Sequence, residues 1–575
     1  MKKREILTNP LIERRVFFLV AIIYLIPVGM FKYVGSLDGP QHLLTSNIIA
    51  GLLSGSDFYG QFFQFNPPVI GNSLGNYILG VLNLILPAWM AEKILLISYL
   101  MAFFYGFRYL VVSIKGKADY KLLVIFPFAF HTLFLLGYYN YSIAVAFMFF
   151  SLGYLIRKDR NRKPATFIIL TLLFTLTYYA HVVVFGILLL LSATYLSYNF
   201  ICERIDGNKR ALVKFLKRVV YYSLAVLPGV VLTWFYYSMM PDTARSPVSV
   251  DGFNRIQYLL DFDLLVVFFK ETGNHFSRVI MISLLIAVIL ILITRSKKTG
   301  NPDMPEGFVK GRFNFWLFAS VLLFAAFFFV PNHMSLPVRM AIPAVLLLIV
   351  WIAIQETHRL ITLGLVVLIN LMSAGLRYYQ MSEHHHLDEM IREIVAMEDQ
   401  IPDNTLVYTA NYSDNWVMYH FENYLGTEKK LVDLNSPSVN EVFAVNWKSA
   451  ERPFLFMGAR NSINVSMVNN KSGFYPVMVA EYVMIFDYDR FKKADDSDPL
   501  AELIRRDFQE ISISPNRKVG LLKFNRWPEV NQNKQFILEN EMAKAGIEKK
   551  AREFGIPFED ALLKDALWLY DTSAR

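Results

Sequence analysis

Residues 16–43 read VFFLVAIIYLIPVGMFKYVGSLDGPQHL. The first part, 16–34, is an apolar run of about the ~20 residues that a membrane-crossing helix needs. The second part, Leu37-Asp38-Gly39-Pro40-Gln41-His42-Leu43, follows at once. It sets a carboxylate, a turn-forming Gly-Pro and a histidine against the membrane edge. An ionisable group there is costly, so it points to function. Pro40 suits the first position of a helix, and the four-residue spacing would place Asp38 and His42 on one face. The plainer alternative is that Asp38 caps the orphan N–H groups of that helix.

The rest of the chain fits this opening. Of 575 residues, 54% are hydrophobic, 15% aromatic and only 18% charged. With a mean hydropathy of +0.36, this is the composition of an integral membrane protein with a polar part. The one cysteine, Cys202, excludes an internal disulfide framework and a cysteine-rich metal site. The net charge of +9 sits mainly in short loops between apolar runs. That is an orientation signal and an attraction to lipid headgroups, not a nucleic-acid face. The first apolar run lacks a small-residue cleavage site and is followed by many more, so it reads as an anchor and not a signal peptide. No P-loop, G-x-G-x-x-G, H-E-x-x-H or G-x-S-x-G motif is present.

Lys2, Lys3, Arg4, Arg14 and Arg15 place the N-terminus in the cytoplasm, so the run 16–34 delivers Asp38 to the external face. Over 39–64, Leu43, Leu44, Ile48, Ile49, Leu52 and Leu53 recur at helical spacing, which predicts a helix lying along the membrane interface. The run 69–86 is interrupted by Gly71, Asn72, Gly75, Asn76, Gly80 and Asn83; it either crosses or dips in and returns. Four basic loops, at 115–121, 157–163, 203–218 and 295–312, all fall inside only if 69–86 does not cross. The spans are then 16–34, 90–113, 122–137, 141–156, 164–180, 182–199, 219–239, 279–295, 313–330, 338–355 and 360–376, about eleven in all. The odd count puts the C-terminal part outside. A further interfacial helix is expected near 256–269.

Composition changes after 376. An amphipathic helix over 387–397 precedes short alternating runs at 406–410, 454–457, 482–487, 510–513 and 519–524, which predict strands. The tail from about 534 reads as a pair of helices broken at Gly555-Ile556-Pro557. His384-His385-His386 reads as a solvated helix start. The expected fold is therefore an α-helical polytopic membrane protein with a C-terminal α/β domain. Its divisions are a multipass domain over 1–376, an external α/β domain over 377–530 and a helical tail over 531–575.

In this topology His42, His181, His275 and His333 lie at outer membrane ends, with His131 in the outer half of its helix. Arg278 and Arg339 also lie outside, where few cations are expected. An arginine fork binds two phosphate oxygens at once. Snorkelling to lipid headgroups is the plainer role of such residues. Tyr138, Tyr139, Asn140 and Tyr141 crowd the same side, as an aromatic belt or as the lining of an outward cavity. The chemistry this set suits is activation of an acceptor hydroxyl by a carboxylate base. Histidine or arginine would steady a departing phosphate, with or without a divalent cation (Mg or Mn) at Asp38 and His42. Asp261-Phe262-Asp263 has the Asp-x-Asp form of metal motifs, but in an apolar interfacial helix.

The layout of residues 10–376 resembles the GT-C superfamily of membrane glycosyltransferases. Asp38 of Asp-Gly-Pro-Gln-His matches the position of that family's catalytic acid in the first external loop. Gly137-Tyr138-Tyr139-Asn140-Tyr141 falls where many members have a second external loop carrying a second acid, which this sequence lacks. The resemblance implies a bacterial inner-membrane enzyme that transfers a sugar from a polyprenyl-phosphate donor on the external face. Its partners would be membrane lipids and the lipid-linked donor, not nucleic acid. Asp38 would be the base and His42 its orienting partner or a metal ligand. Arg278 or Arg339 would clamp the phosphate, with His181, His275, His333, Tyr139 and Asn140 completing the substrate site. A transporter or flippase of lipid-linked glycan is the runner-up. Against it, the helix interiors show no ionisable residue near mid-membrane and no repeated halves. A non-catalytic scaffold with an external binding domain is a third reading.

Overall fold

The computed structural model describes residues 10–159, 163–240, 254–296, 306–333, 335–435, 443–448, 480–495 and 498–574. The chain is mostly helical and divides into two compact units. One comprises Met1–Val34, Pro67–Gly75 and Glu92–His386; the other comprises Gly35–Asn66, Asn76–Ala91 and Leu387–Arg575.

The first unit holds the apolar helices. Among the described residues, seven helices are long and apolar enough to cross a membrane: Ala88–Lys115, Tyr139–Lys158, Val182–Ile205, Ala211–Met239, Lys270–Ile293, Leu336–Ile354 and Arg359–Glu398. Helices Pro164–Ala180 and Phe315–Phe329 are apolar but shorter. Helix Pro10–Met30 begins on Glu13, Arg14 and Arg15, and Glu13 pairs with Arg108 at 2.7 Å. Some charges among the apolar helices are paired, since burying an isolated one is costly. Thus Arg218 reaches Asp159 at 3.2 Å and Glu203 at 2.8 Å. The expected span 122–137 is not one α-helix. Tyr120–Phe130 winds as a 3-10 helix containing Pro127, and the chain turns extended at His131 before the short helix Thr132–Leu135. Pro127 has no N–H to give a continuous α-helix. The residues of 69–86 form only the nine-residue helix Leu74–Leu82. At 1.5 Å per residue it is roughly 14 Å long, about half a hydrocarbon core of ~30 Å.

The second unit is built on a five-stranded mixed sheet of order β3-β2-β5-β7-β6. Its strands are β2 (Thr405–Asn411), β3 (Leu431–Asp433), β5 (Tyr482–Phe486), β6 (Phe508–Ile513) and β7 (Val519–Phe524). β2 runs parallel to β3 and β5, while β7 is antiparallel to β5 and β6. Every residue of β5 is buried, as befits a central strand covered on both faces. Three helices close the chain, Trp527–Glu539, Glu541–Phe554 and Phe558–Ala574, with Gly555 left-handed (φ 66°) at the expected break.

The chain after the first apolar run is part of this second unit. The apolar face of helix Gly39–Leu53, which its pattern predicts to meet the membrane interface, is covered by protein. Leu44, Ile48 and Ile49 are buried in one core with Leu406, Tyr408, Val432 and Val445. β1 (Phe63–Phe65) pairs antiparallel with β4 (Val445–Trp447), and Asn47 Nδ2 donates to the carbonyls of Gly426 and Lys429. An apolar helical face needs covering; here protein supplies the cover. Two smaller expectations also change, and a third is untested. The helix near 256–269 is the seven-residue Arg255–Asp261. The histidine triplet lies inside the 40-residue helix Arg359–Glu398, with His384 edge-on to Phe268 at 5.3 Å. The expected strand 454–457 lies outside the described residues.

Candidate functional site

The site grows from the start of helix Gly39–Leu53. Asp38 occupies its N-cap position, yet its carboxylate makes no capping hydrogen bond. Two features explain this. A cap residue normally has an extended backbone and accepts from the second or third N–H of the helix. Asp38 is instead in the right-handed region (φ −98°, ψ −12°), and Pro40 at the second position has no N–H to offer. The turn is closed by backbone alone, His42 N–H donating to Asp38 O at 3.3 Å.

The Asp38 carboxylate faces a histidine from the far end of the sequence. His420 Nε2 lies 3.9 Å from Asp38 Oδ1, and its Nδ1 lies 3.7 Å from Glu422 Oε1. His420 sits in the 3-10 segment Trp416–Tyr424, where its own backbone (φ −119°, ψ 16°) kinks the helix. The Tyr419 ring meets the imidazole edge-on at 5.0 Å. The Glu422 side chain is 3% exposed, whereas Asp38 is 22% exposed, so a substrate can reach Asp38 but not Glu422. Burial pushes the Glu422 carboxyl above the ordinary range, and the His420 imidazole opposes that rise.

His42 belongs to the same unit. Its Nδ1 lies 3.1 Å from Asn76 Oδ1, an acceptor, so Nδ1 carries the proton and Nε2 is the basic nitrogen. Burial pushes the imidazole down to about 4, which leaves it neutral at neutral pH.

The remaining sequence candidates belong to the other unit. Arg339 lies over the Tyr138 ring at 5.5 Å, and its carbonyl accepts from the Tyr141 hydroxyl at 3.1 Å. Tyr141 meets His181 edge-on at 5.3 Å, and the buried His181 Nδ1 has no hydrogen-bond partner among the described residues. Arg339, His181 and Tyr138 thus gather near the start of helix Tyr139–Lys158. Asn140 pins the neighbouring loop: its Oδ1 accepts from Gly75 N at 2.6 Å and its Nδ2 donates to Asn72 O at 2.6 Å. Tyr139 donates to Glu92 at 2.5 Å. Arg278 and Gln257 bind Asp261 and hold its carboxyl below the usual range, while Asp263 pairs with Lys270 at 2.9 Å. The Asp-x-Asp triplet is thereby engaged in local ion pairs. His275 is exposed on helix Lys270–Ser296 and His333 half-buried in a turn.

Sequence reasoning passed over His420 and Glu422, which bear no local motif and reach the Asp38 turn only through the fold, and read Asn76 only as an interruption of 69–86. It also passed over Glu92, fully buried near the start of helix Ala88–Lys115. A carboxylate inside an apolar helix is the one signal that could have found it. Among the described residues, no three His, Cys, Asp or Glu side chains come close enough to share a metal ion. No protein-family model matches this sequence, and no curated protein matches it.

Proposed function

We propose that the chain is an integral membrane glycosyltransferase of GT-C type, using a polyprenyl-phosphate sugar and Asp38 as general base. In this reading about eleven apolar segments cross the membrane, with the N-terminus cytoplasmic and the sheet-bearing unit outside. The acceptor hydroxyl gives its proton to Asp38 as its oxygen bonds the anomeric carbon. The bond from that carbon to the donor phosphate breaks, and the electron pair leaves with the polyprenyl phosphate. The observation that carries the reading is the Asp38 carboxylate, which leaves its helix uncapped and is held beside His420. A base needs the access that the 22% exposure of Asp38 gives it.

One observation favours a second reading, a proton-coupled transporter of lipid-linked glycan. Glu92 Oε2 is buried with no hydrogen-bond partner among the described residues, within a helix apolar enough to span. The test is purified protein in lipid vesicles containing radiolabelled hexosyl polyprenyl phosphate, with water as acceptor. The enzyme releases free labelled hexose. A transporter moves the intact donor between leaflets without breaking it, and that result would replace the glycosyltransferase reading.

A further inference from the structure

We infer that His420 and Glu422 complete the base at Asp38, with the imidazole held between the two acidic side chains. Both are positioning residues: Glu422 orients the ring and His420 orients the Asp38 carboxylate. The inference rests on the reading of Asp38 as the base.

Three observations place these groups together. His420 presents one ring nitrogen to each carboxylate, Nε2 to Asp38 at 3.9 Å and Nδ1 to Glu422 at 3.7 Å. Glu422 is buried, so it acts on Asp38 only through the ring between them. His420 Nδ1 is itself buried and lacks a hydrogen-bond partner among the described residues, which leaves Glu422 as the group that compensates it. Asn411 Nδ2 lies 3.5 Å from Glu422 Oε2 and also donates to the Met418 carbonyl at 2.8 Å, tying Glu422 to β2. His420 sits at the kink of the 3-10 segment, two residues before Glu422.

The separations exceed direct hydrogen bonds, as catalytic contacts often do before substrate binds, so the arrangement works by positioning. Glu422 fixes the ring orientation, and the ring in turn holds the Asp38 carboxylate toward the acceptor hydroxyl. The substrate proton goes to Asp38 and from there to solvent. Removing Glu422 should slow turnover without weakening substrate binding, because Glu422 does not touch the substrate.

The test is hydrolysis of radiolabelled hexosyl polyprenyl phosphate by the full chain and by Glu422→Gln, Glu422→Asp, His420→Gln and the double variant His420→Gln/Glu422→Gln. The inference predicts that Glu422→Gln lowers kcat at least tenfold with KM within twofold. The double variant is no slower than His420→Gln alone, since residues acting as one unit are not additive. Glu422→Asp keeps the carboxylate and recovers part of the rate; it also serves where Glu422→Gln fails to accumulate. A wild-type kcat in Glu422→Gln, or losses that multiply in the double variant, overturns the inference while leaving Asp38 as the base. A wild-type protein that releases no hexose overturns the base reading and this inference with it.

Discussion

At the scale of the residue, His42 and His420 show how the same side chain takes opposite parts within one unit. His420 is set between carboxylates, whereas His42 faces a neutral amide and is pushed down to about 4 by burial. That depression links to stability. In the unfolded chain the imidazole titrates near 6.5, so between 6.5 and 4 the unfolded state binds a proton that the folded state refuses. Stability is therefore complete above that window and falls as the pH drops through it. The thermal midpoint in detergent should decline more steeply between pH 6.5 and 4 in the wild type than in His42→Gln, where this group no longer titrates. Equal slopes would show that His42 is as accessible to protons folded as unfolded.

At the scale of the element, helix Gly39–Leu53 is the piece that the sequence describes best and places worst. Its start at Gly39-Pro40 and its apolar positions are legible because helical spacing and a proline near the N-terminus are local signals. What covers the apolar face is not legible, since lipid and a protein core ask for the same pattern. The structure answers through close packing. A Cβ at Gly51 would fall 2.1 Å from the Tyr59 ring, and Tyr59 is fully buried, so the ring cannot step aside. Gly51→Ala should destabilise the second unit by about 1–3 kcal/mol, the usual range for overpacking. A chemical-denaturation midpoint unchanged by Gly51→Ala would contradict the packing. β1, β3 and β4 escaped the sequence for another reason. Each is three residues long, too short for alternation to stand out, and each exists only by pairing with distant chain. The segment 122–137 reads as one span because apolarity alone does not distinguish α from 3-10 winding around Pro127.

At the scale of the whole molecule, the membrane character was plain from composition, and seven helices among the described residues bear it out by length and apolarity. The five-stranded sheet was also foreseen in part, at β2, β5, β6 and β7. What no local reading could supply is that the loop after the first apolar run folds with the C-terminal sheet, bringing His420 and Glu422 to Asp38. The proposed activity depends on that long-range closure, and Asp38 is where it can be challenged most directly. The decisive measurement is release of hexose from radiolabelled hexosyl polyprenyl phosphate by purified wild type and Asp38→Asn, with the thermal midpoint of both recorded. Because Asp38 makes no capping bond, the variant loses no helix cap, which would cost ~1 kcal/mol. The account predicts a variant that still folds, with a hexose release reduced at least a hundredfold. A stable Asp38→Asn protein that releases hexose at the wild-type rate would contradict it.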